Sequence, residues 1–140
     1  MLNCLRSMDV ATVACLFSFV LVVGCAPRVR RYGSVIALKG EKRELYNKLH
    51  SDPWPEIVSK IQECNIHNYS IYQAELEKGK WYLFSYFEYT GEDFDADMKK
   101  MADDPRTREW WELTDPCQTR VPGTPEGQQW LAMKEVYHSE

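Results

Sequence analysis

A chain of 140 residues with 44% hydrophobic and 27% charged side chains is long enough for one compact domain and too short for two sizeable ones. Its formal charge of −4 excludes a broad nucleic-acid surface, which needs lysines and arginines gathered on one face. The only local basic group is Arg28, Arg30 and Arg31.

Residues Val10 to Gly24 are apolar apart from Thr12 and Ser18. They fall short of the about 20 residues that a membrane-spanning helix needs, so they read as the core of a signal peptide. They end in Leu21-Val22-Val23-Gly24-Cys25, which resembles a bacterial lipobox, and Cys25 would carry the lipid. This gives a leader over 1–25, a tether over 26–31 and a folded domain over 32–138, anchored at the cell envelope. Arg6 is the only basic residue before the apolar core, with Asp9 beside it. The alternative is a start at a Val codon at Val29 and a leaderless, cytoplasmic protein.

Beyond the tether, Tyr32 to Lys39 is a strand through Val35, Ile36 and Leu38, closed by Gly40. Glu41 to His50 has Leu45 and Leu49 at helical spacing. Asp52 as N-cap with Pro53 at the first helical position predicts a second helical piece through Ile57, Val58, Ile61 and Cys64. Asn68 to Leu76 and Trp81 to Glu88 flank Glu77-Lys78-Gly79-Lys80 as a hairpin. Glu92 to Asp103 is a polar helix turning Phe94, Met98 and Met101 inward, and Pro105 separates it from a short helix with Trp110, Trp111 and Leu113. Pro122, Gly123, Pro125 and Gly127 make Cys117 to Gln128 a loop, and Trp130 to His138 a last strand.

The order β-α-β-β-α-β is that of a ferredoxin-like α+β sandwich, an antiparallel sheet with helices on one face. The other face of such a sheet is bare unless a second copy covers it, so a homodimer is expected. Cys64 and Cys117 are the only cysteines in the folded part, and they are expected to stay unpaired.

Tyr46 and His50 lie four apart on a predicted helix, so both can approach one ligand. His50 can exchange a proton near neutral pH, although a helix C-terminus favours histidine for electrostatic reasons alone. Trp110 and Trp111 point about 100° apart on a helix, so at most one is central to the core. Glu109, Glu112 and Asp115 flank that pair, the two glutamates as ordinary solvated helix charges. Tyr69, at the start of a strand after His67 and Asn68, can reach past the sheet edge into a cleft or be an ordinary buried tyrosine. Cys64-Asn65-Ile66-His67 has C-x-x-H spacing, but no C-x-x-C or H-x-x-x-H accompanies it, so no metal is expected. Nucleotide-binding glycine motifs and a nucleophile elbow are absent, and the economical reading is chemistry without a cofactor.

Four motifs in order make the chain resemble the L-rhamnose mutarotase family from about Arg31 to His138. They are Tyr46-x-x-x-His50-x-x-x-Trp54-Pro55-Glu56, His67-Asn68-Tyr69-x-Ile71-Tyr72, Asp104-Pro105-x-Thr107-x-x-Trp110-Trp111-x-x-Thr114-Asp115-Pro116-x-Gln118, and Glu135-Val136-Tyr137-His138. The resemblance implies a dimeric ferredoxin-like fold of the α/β barrel type. It also implies a cofactor-free isomerase that interconverts the anomers of L-rhamnose, with His50 as proton donor and Tyr46, Tyr69, Trp110 and Trp111 as sugar-binding residues. Mutarotation needs an acid for the ring oxygen and a base for the anomeric hydroxyl. His50 is the expected acid, and Asp115 or a bound water are candidates for the base. Ser51-Asp52-Pro53 beside His50 is a departure that could shift preference to another 6-deoxy sugar such as L-fucose. Two other readings compete: a non-catalytic envelope lipoprotein that binds a sugar or a protein, and a cofactor-independent oxygenase acting on an aromatic substrate.

Overall fold

The computed structural model describes residues 29–139; the leader, its lipobox cysteine Cys25 and the first part of the tether lie outside the described residues. Three long strands, β1 (Arg30–Leu38), β2 (Ile66–Glu77) and β3 (Lys80–Tyr89), pair antiparallel with β3 between the other two. The far edge of β1 pairs with two short pieces, β4 (Gln118–Thr119) beside Ala37 and Leu38, and β5 (Leu131–Met133) beside Gly33 to Val35. This is the strand order of a ferredoxin-like sheet with its fourth strand delivered in two parts. Two strand expectations are overturned here: Gln118 and Thr119 lie in the sheet rather than in a loop, and the last strand, expected over Trp130 to His138, shrinks to three residues. Pro122 and Pro125 lie in the connection between the two pieces, and proline cannot donate to a strand ladder. Past Met133 the imperfect alternation leaves Val136 and Tyr137 89% and 80% exposed.

Four helices follow in the order α1 (Arg43–Ser51), α2 (Pro55–Glu63), α3 (Phe94–Asp103) and α4 (Pro105–Thr114), with single 3-10 turns at Gly40–Lys42 and Asp115–Cys117. The expected start of α2 moves by two residues. Trp54, not Asp52, is its N-cap, and Pro55 occupies the first turn. A residue before proline is pushed towards extended backbone, and Trp54 at ψ 134° obliges while its carbonyl accepts from the Ile57 and Val58 amides at 3.0 and 3.2 Å. Asp93 and Asp104 cap α3 and α4 by accepting from the Ala96 and Thr107 amides.

Register sorts the strand side chains into two faces. Ile36, Leu38 and Leu83 are buried with Tyr46 of α1 and Cys117, and Ile71, Trp81 and Trp130 pack around them. Phe94 of α3 stacks on Tyr32 of the same face at 4.4 Å. The Tyr89 hydroxyl and the Asn65 amide donate to Asp97 at 2.6 and 2.8 Å, fixing α3 to the sheet. Opposite-facing positions include Val35, Phe84 and Tyr72, paired in register, and Tyr72 is 64% exposed. Cys64 and Cys117 are buried and unpaired.

Candidate active site

On α1 the spacing of four brings the rings of Tyr46 and His50 into a stack, with centroids 4.0 Å apart. His50 Nδ1 lies 3.0 Å from the Tyr46 carbonyl oxygen. A carbonyl only accepts, so this bond requires the proton on Nδ1 and leaves Nε2 with a lone pair. Burial pushes the His50 pKa below the ordinary 6.5, outweighing the opposing pull of that carbonyl, and the neutral ring is the resting form at pH 7.

Trp110 is 6% exposed and meets His50 edge-on at 5.4 Å and Trp54 at 5.3 Å, with the Arg106 guanidinium over the Trp54 ring at 4.2 Å. Trp111 is only half-buried. The 100° step along α4 thus separates the pair into a packed tryptophan and a more accessible one.

Tyr69 sits in a β-bulge. His67 pairs with Glu88 and Ser70 with Tyr86, so Asn68 and Tyr69 together oppose Phe87. Asn68 takes a positive φ of 48°, a conformation asparagine tolerates better than most residues. The extra residue puts the preceding Ile66 and His67 out of step, while Tyr69 shares the helix-covered face with Ile71 two residues on and lies edge-on to Phe87 at 5.8 Å. Its ring exposes 44% of its surface because it lines an open hollow, yet the surrounding protein desolvates the hydroxyl and pushes its pKa up to about 12.

That hollow is a cavity of about 910 Å³ between the helices and the sheet, and His50, Tyr69, Trp110, Trp111, Asp115, Gln129 and Trp130 contribute to its wall. Four of the five predicted site residues therefore share one cavity. Tyr46 is 3% exposed, stacks on the His50 ring and lines a smaller hollow of about 240 Å³ with Asn47, Ile71 and Gln73, its hydroxyl close enough to Tyr69 and Asp115 of the larger cavity to feel their charge. Burial, with Tyr69 adding to it, raises the Tyr46 pKa well above the ordinary tyrosine value, so its hydroxyl stays protonated. Among the described residues Asp115 is the only carboxylate residue of the larger cavity, and burial of its carboxyl raises its pKa. Gln129 and Trp130 were not expected at the site; an aromatic residue directly after a Pro- and Gly-rich loop was the available signal. Among the described residues no three His, Cys, Asp or Glu side chains come together as a metal site.

A ferredoxin-like sandwich with an aromatic-walled cavity and a neutral histidine defines a small-molecule protein equipped for proton transfer. The family model for L-rhamnose mutarotase matches residues 31–139, and the chain belongs to that family, as an isomerase of the anomer-interconverting type. It is similar to the L-rhamnose mutarotase of Oceanobacillus iheyensis, 32% identical over 88 residues that cover 63% of this chain and 79% of that protein. The Bacillus subtilis L-rhamnose mutarotase is 33% identical with the same coverage of each chain. A solved L-rhamnose mutarotase from Formosa agariphila has the same fold, with a TM-score of 0.58 at 18% identity over 79% of this chain and 99% of that one.

Proposed function

We propose that this protein interconverts the α and β anomers of L-rhamnose, or of a related 6-deoxy sugar such as L-fucose, without a cofactor. The observation that carries this reading is a neutral imidazole, its Nε2 unprotonated, in an aromatic-walled cavity that also holds a carboxyl group. Aromatic faces suit the C–H side of a pyranose, and the Tyr69 hydroxyl can hydrogen-bond to its polar rim.

Ring opening removes the proton from the anomeric hydroxyl and adds one to the ring oxygen as the C1–O bond breaks. In this mechanism His50 Nε2 takes the first proton and Asp115, in the protonated form that burial favours, supplies the second. The open-chain aldehyde turns about its C1–C2 bond, the freed hydroxyl attacks the other carbonyl face and returns its proton to Asp115, and the imidazolium returns its own to the anomeric oxygen. Both groups end as they began. His50 is thus acceptor on opening and donor on closing, which supports a reversal of the roles expected from sequence for the opening half. Polarimetry of freshly dissolved crystalline α-L-rhamnose tests the reading: rotation should reach its final value faster in proportion to added protein. A time course indifferent to the protein, with L-fucose as well, would overturn it.

The working form in this reading is a homodimer joined through the bare sheet face. Exposed Tyr72 and Met133 and their half-buried neighbours Phe84 and Val35 support this, because a monomer gains nothing from an apolar sheet surface in water. Sedimentation should give twice the chain mass, and Tyr72→Asp should shift it towards one. Cys25 would hold the domain at the cell envelope through a lipid; fatty-acid labelling in cells should mark the parent and not Cys25→Ala.

A further inference from the structure

The cavity is larger than its sugar-facing wall requires. Pockets of roughly 300–1,000 Å³ serve drug-sized ligands, and about 910 Å³ is near the top of that range, while a 6-deoxyhexose is a small molecule. The additional wall has a different character. Ile57 and Ile61 face it from α2, Ile66 and Phe87 from the sheet, and Met98 and Met101 from α3. None of these belongs to the predicted sugar-binding set.

Three of the polar side chains on that side, Lys60, Thr107 and Asn68, already have partners. Lys60 is held by Glu63 at 2.7 Å and by Asp104 at 3.5 Å, and the Thr107 hydroxyl donates to Asp104 at 3.0 Å. Asn68 donates its amide to Glu88 at 2.6 Å. Gln62 and His67 are solvent-exposed. A sugar hydroxyl set against the isoleucines, Phe87 and the two methionines would give up its water partners and find none among them, at a cost of roughly 1–3 kcal/mol. Apolar matter suits it. Two methionines in the wall let it adapt to the shape of what enters.

We infer that the substrate class of this enzyme includes 6-deoxyhexoses bearing an apolar acyl or alkyl substituent on a ring hydroxyl, with the substituent seated in the annex formed by α2, α3 and the start of β2. The anomeric hydroxyl must stay free, because its proton is the one transferred, so the substituent lies on O2, O3 or O4. This inference rests on the mutarotase reading of the same cavity and specifies what that reading leaves open. A 6-deoxy sugar brings a single methyl group of its own, which fills little of a wall built from three isoleucines, a phenylalanine and two methionines.

The test measures anomer exchange by NMR for L-rhamnose and for its 2-O-, 3-O- and 4-O-butyl ethers, with the intact protein. Each buried methylene is worth about fourfold in affinity, so at least one ether is expected to show a KM ten or more times below that of L-rhamnose. Met98→Trp fills the annex and should abolish that advantage while L-rhamnose exchange is retained; Ile61→Phe serves if the first variant does not fold. Accelerated exchange of L-rhamnose with no ether favoured overturns the annex and leaves the mutarotase reading intact. An ether advantage that survives a folded, filled variant also overturns it. Exchange accelerated for no sugar at all is the separate failure of the mutarotase reading.

Discussion

Replacing His50 with alanine is expected to lower the protein-dependent rate of anomer exchange by about 10²–10⁴-fold, the usual contribution of one positioned proton-transfer group. Asp115→Asn keeps the shape of the side chain and removes its transferable proton, so it should cost about 10²-fold in kcat with KM changed little. If the two groups act in one step, the double variant loses scarcely more than the worse single one. Losses that multiply would separate their roles. The pH dependence has two sides: a protonated His50 cannot accept, so activity falls with decreasing pH with a midpoint below the ordinary 6.5, and an ionised Asp115 cannot donate, so activity also falls with rising pH, at a point that burial moves above the usual carboxylate range. For His50, stability has the same sign as the acidic limb, since below pH 6.5 the unfolded chain binds the proton more readily than the folded one, and stability declines as the solution is acidified. An acidic limb centred at or above 6.5 would contradict the neutral-imidazole assignment.

The adjacent tryptophans should separate in the same way that they separate in space. Trp110→Ala removes a ring that is 6% exposed and wedged between His50 and Trp54. It should cost about 3–5 kcal/mol of folding stability, with loss of activity following from the displaced imidazole. Trp111→Ala removes a half-buried ring on the cavity wall. It should leave the denaturant midpoint nearly unchanged and raise KM instead. Equal effects of the two variants on stability would show that the 100° step between them does not divide packing from binding.

How far these features were legible in the sequence depended on whether the relevant contact is local. The i, i+4 spacing of Tyr46 and His50 announced one helix face, and their rings do stack. Spacing could not say that Tyr46 would be the buried member of the pair, because that is set by where Leu83 and Cys117 pack. Tyr69 was legible as a strand residue near a cleft, and plain alternation with Ile71 puts it on the core face. The bulge that puts Ile66 and His67 out of step with it was signalled only by asparagine, which takes a positive φ at position 68. Two prolines, Pro53 and Pro55, compete to begin α2, and a rule of local propensity does not arbitrate between them. The divided fourth strand and the entry of Gln129 and Trp130 into the cavity are long-range outcomes of pairing with β1. They leave almost no periodic signal.

The most direct test of the central claim is NMR saturation transfer between the α and β anomeric protons of L-rhamnose, with the purified parent and a folded His50→Ala variant. Exchange accelerated by the parent and lost in the variant is the predicted result. Equal acceleration by both proteins would remove His50 from the mechanism, and acceleration by neither would contradict mutarotation itself.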